Sequence, residues 1–260
     1  MKTDIASIYR HAWAFARLCP LLFLIPVLVE FAQHIVEWQA GMYDGIAGAK
    51  AAEADPLRMQ FGFAKTLALL LPGYWFARFI LFGGDAARAR RIEWPAIGLW
   101  LVLFAIHGLE QWWTLFGPPL TGLIGLTGET ARWTGYALVA GGSILGVYLT
   151  AWSSAWAAGN AAIGPIRSIG IMAGSFWWTI ALMIVGVLPL MIVHYTLSYA
   201  AIVAPAALDW PLLIVDAVAV GFLALTMTGA STVAAQHAAR RKQVDLVGAP
   251  NDLSPLKIFS

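Results

Sequence analysis

The stretch from Phe176 to Ala204, FWWTIALMIVGVLPLMIVHYTLSYAAIVA, decides the fold class. No Lys, Arg, Asp or Glu interrupts the chain between Arg167 and Asp209, nor between Arg132 and Arg167. About 20 apolar residues are enough for a helix to cross the hydrocarbon layer. Backbone groups cannot be left open in lipid, so runs of this length read as helices. Strand alternation of the outer-membrane type is absent. Working outward, five more spans are expected near Leu18–Val36, Phe63–Gly83, Pro95–Phe116, Trp133–Ala158 and Pro211–Ala234.

Composition agrees. Of the 260 residues, 60% are apolar and 12% charged, against about 45–50% and about 25% in soluble domains. A net charge of +2 is too small for a nucleic-acid footprint. Thirteen Trp, seven Tyr and thirteen Phe supply the aromatic load of membrane interfaces. The first apolar run, Leu18–Val36, is longer than the h-region of a secretory signal, so it reads as an uncleaved span. The single Cys19 reads as a small apolar filler near a helix end.

Basic residues set the orientation. With the amino terminus inside, eleven Lys and Arg fall in inner segments and four, Lys50, Arg58, Lys65 and Arg132, in outer ones. Both termini are therefore expected in the cytoplasm. The expected architecture is all-α and polytopic: residues 1–242 form one domain of six transmembrane helices plus a short N-terminal amphipathic interfacial helix. Residues 243–260, with Gly248, Pro250 and Pro255, are expected to be a flexible cytoplasmic tail. The outer segment Trp38–Gly62 reads as a mobile loop or short helix, and Gly117–Gly128 as a loop or re-entrant segment.

In the first segment Ile5, Ile8, Tyr9, Ala12, Trp13 and Ala16 share one helical face, and the basic residues lie mostly elsewhere. Such a helix is expected to lie on the cytoplasmic leaflet. Gly135, Gly142, Gly146, Thr150, Ser153 and Ala157 form a small-residue stripe that predicts close helix packing. Pro189, Pro20 and Pro26 predict kinks.

The chemistry sits in polar groups inside the apolar runs. Glu30, Gln33, His34 and Glu37 lie at offsets 0, 3, 4 and 7, and His107, Glu110, Gln111 and Thr114 repeat those offsets. With His194 and Asp216, six ionisable groups (Glu30, His34, His107, Glu110, His194 and Asp216) are expected at one level in the outer half of the bilayer. Facing lipid, each would cost about 2.5–3.5 kcal/mol on insertion scales, so they should point inward. A structural polar network, a proton-linked or solute-binding cavity, and a divalent metal site remain open. For the metal, Glu30, His34, His107 and Glu110 are the candidate ligands, and the faces of the first and third spans are expected to meet. No phosphate-binding loop, nucleophile elbow, CxxC or HExxH occurs, and no cofactor is expected.

Two stretches carry a resemblance: Ile5, Ile8, Tyr9 and Arg10 through Trp13 and Phe15, and Gly164-Pro165-Ile166-Arg167-Ser168 followed by Met172, Gly174, Ser175, Phe176 and Trp177. Together they resemble bacterial inner-membrane six-helix proteins, an uncharacterised family related to the membrane domain of glycerophosphoryl diester phosphodiesterases. The resemblance implies an inner-membrane location and an envelope or lipid-linked role; catalysis, in members that have it, lies on a separate soluble barrel domain. The leading expectation is thus a non-catalytic membrane-organising or partner-binding protein. The alternative is a small transporter or permease-like protein with a proton- or cation-binding cavity, and an intramembrane metalloenzyme ranks third. Expected partners are membrane lipid, a membrane protein or a second copy, and no nucleic acid.

The segment at Pro165–Ser175 is expected to form an interfacial helix whose Gly170 and Gly174 allow close backbone approach. On that reading a bulky residue at Gly174 disturbs packing more than removal of the Ser168 hydroxyl.

Overall fold

The computed structural model describes residues 2–248. These are mostly helical, with no strand among the described residues. The chain divides into two units, residues 1–91 with 181–233, and residues 92–180 with 234–260.

The first unit begins with α1 (Lys2–Leu18) and α2 (Pro20–Gln39), followed by α3 (Gly45–Ala52), α4 (Pro56–Leu70), α5 (Gly73–Leu81) and α6 (Ala86–Arg90). Pro20 opens α2 at its first turn, where no backbone donor is lost, so it starts a helix and kinks nothing. Asp55 caps α4 by accepting the Arg58 backbone N–H at 2.8 Å, with Pro56 in the first turn. The span expected at Phe63–Gly83 is broken at Leu71-Pro72 into α4 and α5.

The second unit contains α7 (Trp94–Phe116), the short α8 (Leu120–Leu123) within the expected outer loop, α9 (Gly128–Tyr148), α10 (Thr150–Ala157) and α11 (Pro165–Met172). Then α12 (Phe176–Val203) returns the chain to the first unit, a 3-10 turn spans Ala206–Leu208, and α13 (Asp209–Arg241) runs back.

Among the described residues, three helices are long and apolar enough to cross a membrane: Pro20–Gln39, Phe176–Val203 and Ala206–Arg241. The pair α9–α10, bent by 48°, makes up to four. These helices are compatible with a membrane location. The side chains of α2 support it, being sorted inside out for water: Leu21 is 80% and Leu28 60% exposed while Glu30 is fully buried.

The apolar face of α1 is turned into protein. Ile8 and Phe15 are fully buried, Phe15 meets Phe76 and Phe79 edge-on at 5.1 and 5.5 Å, and Tyr9 donates to the Val185 carbonyl at 2.6 Å. The face expected to lie on lipid is therefore a docking face, leaving Trp13 exposed. His11 sits edge-on to Phe79 at 6.0 Å, and burial pulls its pKa below the ordinary value. A lowered histidine pKa means that the unfolded chain takes up the proton first. Stability is then full above the unfolded value of about 6.5 and falls as pH drops below it. Unfolding titrations should show that loss, and His11→Phe should flatten it.

The bend between α9 and α10 exposes backbone groups, and one hydroxyl takes them up. Ser168, on α11 and fully buried, donates to the Tyr148 carbonyl at 2.7 Å and accepts the Trp152 N–H at 3.0 Å. By contrast, a Cβ added at Gly170 or Gly174 meets nothing within 4 Å. Gly174 is required by its φ of +80°, a conformation disfavoured for side chains, and not by a close helix. The expected ranking is corrected in its reason. Ser168→Ala should cost about 1–3 kcal/mol, because it orphans two backbone groups at once. Thermal unfolding in detergent checks it, with Ser143→Ala on exposed α9 as the near-neutral control.

The small-residue stripe also differs from its reading. Thr150 and Ala157 are buried, but an added Cβ at Gly135, Gly142 or Gly146 meets nothing within 4 Å. The described part of the tail, meanwhile, is held: Asn160 donates to the carbonyls of Asp245 and Leu246, both at 3.3 Å, and Leu246 is buried. Residues 249–260 of the expected tail lie outside the described residues.

Candidate functional site

The site forms inside the first unit, from α2, α4, α12 and α13. At about 1.5 Å per residue, Glu30 lies about 14 Å from the end of α2, His194 about 14 Å from the end of α12, and Asp216 about 10 Å from the start of α13. The chain reverses between α12 and α13, so these positions coincide in level. Glu30 and Asp216 are fully buried, and His34, Gln33 and Glu37 are buried beside them.

His34 is the bridge. Its Nε2 lies 3.1 Å from Asp216 Oδ2 and 3.6 Å from Glu30 Oε1, and its Nδ1 lies 3.0 Å from Glu37 Oε2. Asp216 is also bound by His194 Nδ1, at 2.8 and 2.9 Å to its two oxygens, and by the Ser198 hydroxyl at 3.4 Å.

Glu37 is saturated. Gln33 Nε2 donates to it at 2.9 Å, Arg58 Nε at 3.1 Å, and the Tyr43 hydroxyl at 2.8 Å. Burial, followed by the Glu37 charge, pushes the Tyr43 phenol above its usual range, so it remains a donor. Glu30 is served differently: Lys65 Nζ reaches its two oxygens at 2.9 and 2.8 Å. The lysine side chain retains 20% exposure and Glu30 only 1%, so this ion pair joins a buried carboxylate to a tethered cation near water. Arg58 and Lys65 are seven residues apart, two turns of α4, and so face α2 together.

All of these groups except Asp216 line a cavity of about 270 Å³. Its wall is completed by Met42, Tyr195, Tyr199 and Ile202. Gln33 also lines it, and because its Nε2 is committed to Glu37, its Oε1 is left as a buried acceptor with no hydrogen bond. Glu30, His194 and Asp216 each offer a ligand atom, all within 4.8 Å of one another.

Four of the six expected residues thus come together: Glu30, His34, His194 and Asp216. The other two belong to the second unit, where His107 and Glu110 are exposed; His107 Nδ1 bonds the Leu103 carbonyl of its own helix at 2.8 Å. Within the first unit, the polar groups bonded to Glu30 and His34 of α2 from other helices come from α4 and α13. Sequence reasoning passed over Lys65, Arg58, Tyr43 and Ser198. Lys65 and Arg58 did leave a signal, since they are two of the four basic residues that the sequence reading assigns to outer segments. No protein-family model, curated protein or solved structure matches the chain.

Proposed function

We propose that the protein is a multi-pass membrane protein of the bacterial inner membrane, and that the cavity beside α2 binds a small cationic solute. The observation that carries this is the surplus of buried acceptors around one space. Glu30, Glu37 and Gln33 border it, Gln33 Oε1 is buried without a hydrogen bond, and Asp216 bonds two of its lining histidines, while the only Lys or Arg paired with these carboxylates among the described residues are Arg58 and Lys65. Desolvated carboxylates favour cations, since an unpaired buried charge is costly. This supports the permease-like reading over a purely membrane-organising role, which no particular contact favours. We take the chain to cross six times with both termini in the cytoplasm, α4–α5, α7 and α9–α10 supplying the crossings beyond the three long helices.

Two experiments test this. With Cys19 replaced by Ser, a membrane-impermeant thiol reagent on intact cells should label Ala51→Cys and spare Lys242→Cys; the reverse pattern inverts the topology. In nanodiscs, a small cation among sodium, potassium, methylammonium, magnesium and zinc should raise the unfolding temperature above a tetrabutylammonium control of equal ionic strength. At one hundred times Kd the gain is about 2.7 kcal/mol. No gain from any of them overturns the reading.

A further inference from the structure

We propose that the cation is a first-row divalent transition metal, bound by Glu30, His194 and Asp216, and that Lys65 is the placeholder it displaces. This rests on the cation-binding reading of the cavity and makes it more specific.

The donor set gives the class. One imidazole and two carboxylates within 4.8 Å of one another suit zinc, iron or manganese; all-oxygen sets suit magnesium or calcium. Closing the ligand atoms around one ion takes a small inward movement, and the cavity leaves space for it. Three protein ligands leave an open position, as in sites where a metal keeps a water or exchanges. His194 commits Nδ1 to Asp216, and its Nε2 carries no hydrogen bond. The unpaired Gln33 Oε1 points independently to an electropositive guest, since an amide oxygen buried without a donor is costly.

Charge fixes the role of Lys65. Glu30 is paired with Lys65, so a metal ion that takes Glu30 as a ligand must displace the ammonium into the solvent it already touches, and the ion then supplies the positive charge that Glu30 loses. Glu37 stays with Arg58, Gln33 and Tyr43 and takes no part in ligation. Glu30 is the carboxylate open to exchange, because its hydrogen bonds come from Lys65 alone.

The test uses the full chain in nanodiscs, with Zn2+ for affinity and Co2+ for its visible ligand-field bands. The wild type should bind one equivalent, with Co2+ bands of nitrogen and oxygen ligation. Glu30→Gln and His194→Gln should each weaken Zn2+ at least about tenfold, and Lys65→Gln should tighten it about tenfold, each step being about 1.4 kcal/mol. His194 lies on the partly exposed wall, so its variant keeps the test decisive if Glu30→Gln fails to fold. Zn2+ binding unchanged by His194→Gln overturns the site, and weaker binding in Lys65→Gln overturns the placeholder role. Stabilisation by sodium or methylammonium without stoichiometric Zn2+ overturns the metal and leaves the cation cavity standing. Stabilisation by none of them removes both.

Discussion

Asp216→Leu is expected to destabilise the protein by about 3–5 kcal/mol, the cost of breaking a buried ionic network from one side. Asp216 is fully buried on α13, and its two oxygens receive His34 from α2 and His194 from α12. Leucine fills the space but leaves two imidazoles without their acceptor in a low-dielectric interior. Asp216→Asn keeps one acceptor oxygen and should lose less. Denaturant or thermal unfolding in nanodiscs measures both. A loss under about 1 kcal/mol for the leucine variant would mean that the network does not hold these helices together.

Gly221→Leu should be as damaging for a steric reason. Where α13 crosses α2, a Cβ at Gly221 would overlap Val27 Cγ2 and lie 3.0 Å from the Phe23 ring. Neither neighbour can yield without moving α2, so the cost should reach or exceed about 3 kcal/mol, the upper end for overpacking. Gly142→Leu is the control: it lies on exposed α9, and its Cβ would meet nothing within 4 Å. Expression and unfolding temperature should collapse for the first variant and hardly move for the second. Equal effects would refute the crossing.

The apolar runs made α2, α12 and α13 legible, because outward-facing and core-facing residues are both apolar there and only length matters. Breaks were not legible in the same way. Pro72 divides the expected second span, whereas Pro26 and Pro189 stay inside continuous helices. The same residue type breaks a helix or is carried through it according to the packing around it. The inward face of α2 was legible because Glu30, Gln33, His34 and Glu37 share the 3.6-residue period. Which helices answer it was not. His107 and Glu110 repeat the spacing of α2, but matching period and depth do not specify a neighbour. The charges that do answer Glu30 and Glu37 sit on α4, where Lys65 and Arg58 read as interruptions of a span.

The network of His34 has a consequence for the order in which the chain is made. Glu37 and Glu30 leave the ribosome with α2, and their partners Arg58 and Lys65 follow only 21 and 35 residues later. His194 and Asp216 likewise emerge 22 residues apart and hydrogen-bond each other locally. The one long link of this network, His34 to Asp216, spans 182 residues and can form only after α13 has emerged. Each of the two hairpins can therefore close its own pairs before the other exists, and the cavity, walled by both, waits for their union.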